Sequence, residues 1–130
     1  MAHVYSDSLK LGQLKWEIGV MQRTLYFIRD ENIHFKTRLC EMLVTSFNNN
    51  QLDHIETFQN RFIMLDELIA MLMKQINEVN KSIANGTSEV KEPVERINTM
   101  VSRVAANIDL AEERFKKLKL EFNSYLFKNI

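Results

Sequence analysis

The sequence predicts an all-α protein, an elongated antiparallel three-helix bundle of coiled-coil type with a left-handed supercoil. Two observations carry this. Apolar residues recur at alternating steps of three and four along nearly the whole chain, and the pattern breaks at only two places rich in turn-forming residues. A 3.5-residue period keeps one stripe of each helix against its neighbours and imposes the left-handed twist. Short turns force consecutive helices to run antiparallel.

The first helix is expected over about 7–47. Its seam runs Leu11, Leu14, Ile18, Met21, Leu25, Ile28, Asn32, Phe35, Leu39, Met42 and Ser46. Ser6 or Ser8 is placed to cap its start, and Asn48, Asn49 and Asn50 favour a turn after it. The second helix is expected over about 51–85, with Asn50 as cap, Asp53 near its positive end, and an unbroken seam from Ile55 and Phe58 to Val79 and Ile83. Asn85-Gly86 supplies the left-handed residue that stops a helix, and Thr87 or Ser88 can cap the next. The third helix is expected over about 89–128, with a seam from Val90 to Tyr125. Pro93 is tolerated only in a first turn, so this helix either begins near Pro93 or kinks there. Forty helical residues rise about 60 Å, which makes the expected bundle long and narrow.

At 130 residues the chain is one domain's worth, so residues 1–130 are expected to form a single helical bundle. Lys plus Arg and Asp plus Glu both total 17. The balance argues against bulk nucleic-acid binding, because no net basic field exists to hold a phosphate backbone. One cysteine, Cys40, cannot form an intrachain disulfide, and the first residues lack the basic and apolar regions of a signal peptide. A cytoplasmic protein is the expectation. No Gly-rich phosphate loop, Cys/His cluster or nucleophile motif is present, so no enzyme, cofactor or small-molecule substrate is expected.

On this pattern the chain resembles spectrin-type repeats, which also pack three long antiparallel helices through heptad seams. The resemblance covers the whole chain, at the level of pattern alone, and implies the same fold class. Trp16 falls outside the seam, whereas a spectrin-like repeat buries a tryptophan in its core.

The face opposite the seam separates the helices. Between Gly12 and Asn48 it carries eight apolar residues in seventeen: Trp16, Val20, Tyr26, Phe27, Ile33, Cys40, Val44 and Phe47. The second and third helices carry four in twelve and four in fifteen. Gly12 and Gly19 lie on the same face of the first helix and would let another backbone approach. A helix apolar on both sides seeks burial on both, so these eight residues are the candidate interface for a homodimer or a partner helix.

Two polar features lie along the seams. Asn32 at a core position is expected to fix register, level with Ile69 and with the small Ala111. Glu31 and His34 have the Glu-x-x-His spacing of carboxylate-bridged di-iron bundles, and Asp66, Glu67, Asp109 and Glu112 fall at similar height, which makes a ferritin-like metal-binding bundle an alternative. Such chemistry needs two motifs facing inward. Here one is present and His34 faces away from the core, so no metal ligand is assigned. The C-terminal stretch, with Lys116, Lys117 and Lys119 among apolar residues, offers a membrane-surface alternative. Its Phe122, Tyr125, Leu126 and Phe127 are instead expected to cap the core, so a membrane partner is not favoured.

Overall fold

A computed structural model describes residues 2–45, 49–85 and 93–129, and their side chains over 7–44, 51–85 and 93–129. The expected all-α, three-helix bundle is the one observed. Three helices, α1 (Ala2–Thr45), α2 (Asn49–Asn85) and α3 (Val94–Asn129), pack pairwise, with no strand among the described residues. The starts of α1 and α2 differ from expectation, whereas α3 starts beside Pro93, one of the two alternatives expected for it. Helix α1 extends back to Ala2, placing Ser6 and Ser8 inside it, because no glycine or proline precedes Leu11 to stop it. Helix α2 begins at Asn49, so Asn50 lies within the helix rather than capping it. Helix α3 begins at Val94, with the Pro93 carbonyl accepting from the Arg96 and Ile97 amides at 3.0 and 3.2 Å. Proline here meets the helix where its missing N–H costs nothing. The proposed caps Thr87 and Ser88, and Ser46 and Phe47, lie outside the described residues.

The chain divides into two compact units, each built from a segment of every helix: Met1–Leu25 with Met71–Asp109, and Tyr26–Ala70 with Leu110–Ile130. In the first, the core is aliphatic, with Leu14 and Ile18 of α1, Leu72 and Ile76 of α2, and Ile97 and Val101 of α3 all buried. Asn107 on α3 donates to Gln75 on α2 at 3.3 Å. In the second, the core is aromatic. Phe35 stacks on Phe62, their centroids 6.1 Å apart, and meets Phe122 edge-on at 5.9 Å, while Phe58 packs on Phe122 and Tyr125. Offset and edge-on pairs of this kind add roughly 0.5–1.5 kcal/mol each beyond the area they bury. Every buried hydrophobic side chain among the described residues is a seam residue, so the heptad assignment and the core coincide.

Asn32 is fully buried, and its Nδ2 donates to the Phe62 carbonyl at 3.1 Å and to Asp66 Oδ1 at 2.6 Å. The other Asp66 oxygen is paired with the Lys36 ammonium. Asn32 therefore links α1 to α2, at a different level from the one expected. It meets Phe62 and Asp66 rather than Ile69, and Glu31 beside it pairs with Lys119 of α3 at 3.3 Å, a heptad beyond Ala111 and Glu112. The earlier start of α2 moves the reversal point back along the chain and shifts each partner accordingly.

At the end of this unit Phe122 is fully buried, and Tyr125 and Leu126 are half-buried. Phe127 is not part of the cap: it is 90% exposed, since it falls opposite the seam of α3. The Tyr125 hydroxyl donates to Gln51 Oε1 at 3.1 Å, and burial pushes its pKa above the ordinary tyrosine value.

Two outcomes follow. Asn32→Leu replaces an amide whose own Oδ1 has no protein partner, and leaves Asp66 with Lys36; urea unfolding should show stability higher by on the order of 1 kcal/mol. Because the Tyr125 pKa is raised on folding, its contribution is fully present below about pH 10 and is lost as pH rises through the folded value. Tyr125→Phe should flatten that alkaline loss in a series of melts.

Candidate interaction surface

With the seam of α1 buried, the residues opposite it point outward. In the first unit Trp16 is 62% exposed, Leu9 one heptad before it is also exposed, and Val20 is half-buried. In the second unit Phe27 is 63% and Val44 86% exposed, and Ile33, Tyr26 and Cys40 are exposed as well. The Arg29 guanidinium sits 4.8 Å from the Tyr26 ring centroid and covers one side of it. Seven of the eight expected interface residues thus lie on the outer side of α1, Val20 and Tyr26 least openly. Phe47 lies outside the described residues.

Sequence reasoning missed Leu9. The count along this face began at Gly12, although seven-residue spacing from Trp16 was the available signal. Among the described residues, α1 carries six exposed large hydrophobics, against three each on α2 (Ile63, Met64, Met71) and α3 (Leu110, Leu120, Phe127). The contrast read from the sequence is therefore present in three dimensions, since the bundle leaves these α1 side chains uncovered.

Gly12 and Gly19 line a groove of about 640 Å³ between α1 and α2 in the first unit, with Lys15 and Gln22 on one side and Asn80 and Ala84 on the other. A Cβ added to either glycine would meet nothing within 4 Å, so packing within the chain does not require them. Their backbone is ordinary helix, where glycine costs roughly 1 kcal/mol relative to alanine.

The Glu-x-x-His level is occupied by ion pairs. Glu31 is paired with Lys119, Asp66 with Lys36 and Asn32, and His34 is exposed with its ring edge-on to Phe35. Among the described residues, no three His, Cys, Asp or Glu side chains converge on a point that could hold a metal ion. No described helix is long and apolar enough to cross a membrane. His54 lies exposed against the Tyr125 ring, with centroids 5.6 Å apart.

The geometry offers no enclosed reaction site on the outer side of α1. What it offers is apolar area on a rigid helix, a surface suited to a second helix.

No protein-family model matches the chain, and no curated protein or solved structure shows significant similarity to it.

The two glycines give a direct check. Gly12→Ala and Gly19→Ala should each raise monomer stability by roughly 1 kcal/mol in chemical denaturation, since both sites are helical and open.

Proposed function

We propose that this chain is a non-enzymatic helical interaction module that self-associates or takes a partner helix along the outward face of α1. The observation that supports this reading is that Trp16, Phe27, Ile33 and Val44 stand exposed on a helix whose opposite face already fills the core. Each is large, and none contributes to the buried core of its own unit. Aromatic and aliphatic side chains held on a rigid helix are the groups that anchor protein interfaces, because little conformational entropy is lost when they are covered.

A second reading, contact with an anionic membrane surface, draws on Leu120 and Phe127. They are exposed seven residues apart on α3, beside exposed Lys116, Lys117 and Lys128. It uses fewer and more scattered apolar groups than the first.

In light scattering, the wild type should show a mass that rises with concentration above the 15.3 kDa of one chain, and Phe27→Glu or Ile33→Lys should return it to a soluble monomer with unchanged helicity. A variant that associates as the wild type does would exclude the outward face of α1. A monomeric wild type that co-sediments with anionic vesicles would favour the second reading.

A further inference from the structure

In the unit built from Tyr26–Ala70 and Leu110–Ile130, each edge of the bundle carries an ion pair that joins two helices. Lys36 pairs with Asp66 between α1 and α2, Lys119 with Glu31 between α3 and α1, and Arg61 with Glu121 between α2 and α3. One heptad along the antiparallel α2–α3 edge the equivalent positions are Leu68 and Arg114, so a leucine stands where a carboxylate would answer the cation. Arg114 is exposed, as is Lys117 one turn on, and neither has an ion-pair partner among the described residues.

The two cations border a groove of about 350 Å³ between α2 and α3. Leu65 and Leu118 are buried at its floor, Leu68 is half-buried, and Met64 stands largely exposed at its lip. Leu110, one heptad before Lys117 on the same face of α3, is exposed and extends the apolar surface. Two packed helices have a groove on each side, and α1 fills the other one, where Phe35 packs on Phe62 and Phe115. The outer groove therefore has the shape that takes a further helix, and a thioether lip adapts to its contour. Its charge selects which helix. With Arg61 neutralised by Glu121, the uncompensated charges are both positive, so a basic segment is repelled and an acidic one attracted. Cations one turn apart match carboxylates one turn apart on a helix lying alongside.

We propose that the groove between α2 and α3 docks an acidic amphipathic helix of another protein, whose apolar stripe lies on Met64, Leu68 and Leu110 and whose carboxylates pair with Arg114 and Lys117. This site is separate from the outward face of α1, so either reading can fail without the other. The partner supplies the carboxylates that the α2–α3 edge lacks and covers the apolar side chains beside them.

Fluorescence anisotropy on the full chain tests this, with the wild type and Phe27→Glu titrated in parallel. The probe is a labelled amphipathic peptide of about 20 residues, with leucines at heptad spacing flanked by glutamates. A control peptide replaces every glutamate by lysine. The acidic peptide should bind both proteins saturably and at least about tenfold more tightly than the control, and the Met64 methyl resonance should shift on binding. Arg114→Glu with Lys117→Glu should reverse the preference between the peptides with helicity unchanged by circular dichroism. Arg114→Gln with Lys117→Gln, which adds no charge, should weaken the acidic peptide about tenfold. Equal binding of the two peptides, acidic-peptide binding that survives both double variants, or no saturation up to about millimolar peptide overturns the inference. Loss of binding in Phe27→Glu also overturns it, because the peptide then sits on α1. So does a wild type whose self-association the glutamine variant abolishes, since the occupant is then a second copy. Anionic vesicles that bind the wild type and not the glutamine variant, in the absence of peptide binding, assign the cations to a membrane surface and overturn it as well.

Discussion

Among the described residues Asn32 is the one buried seam residue that is polar, and its amide reaches Phe62 and Asp66 across the α1–α2 contact. Heptad seams alone leave a sliding problem. Leu, Ile and Val satisfy one another's holes almost equally well, so displacing a helix by seven residues costs little in buried area. A buried amide removes that freedom, because its desolvation is offset only where a carbonyl and a carboxylate wait at the right height. Lys36 completes the arrangement by pairing with the second oxygen of Asp66, so the carboxylate is held from two sides.

The aromatic core of the same unit reinforces this choice. Phe35 meets Phe62 of α2 and both Phe115 and Phe122 of α3, and a one-heptad slip against α2 would replace Phe62 by the smaller Ile55 or Ile69. In the other unit the core is aliphatic, and Asn107 of α3 donates a hydrogen bond to Gln75 of α2 beside it. Register information is thus concentrated near Asn32, where polar and aromatic specificity coincide.

A fixed register also fixes which α1 side chains are spent on folding. Once Leu14, Ile18, Leu25, Ile28 and Leu39 are in the core, Trp16, Phe27, Ile33 and Val44 necessarily point away from it. Their exposure follows from helix geometry, since a helix that turns its seam to the core turns the opposite residues outward. The groove between α2 and α3 arises in the same way. Seam packing brings Leu65 and Leu118 together below the surface and leaves Met64, Arg114 and Lys117 along the edges.

By itself the sequence determined the fold class, because a 3.5-residue apolar period selects helices packed along one stripe and two short breaks divide the chain into three of them. It also determined nearly all of the core, since every buried hydrophobic side chain among the described residues falls on a seam position, and it separated the inner from the outer residues of α1. Spacing alone could not place one helix against another along their length. The height of Asn32 depends on where α2 starts, so Ile69 and Ala111 stood in the reading where Phe62, Asp66 and Lys119 stand in the molecule. Nor could spacing show that Phe127 leaves the aromatic cap while Tyr125 stays, or that residues from α2 and α3 form a single basic trough. Those outcomes were decided by tertiary structure, because they depend on distances between residues far apart in sequence, and periodicity within a helix carries no information about distances across helices.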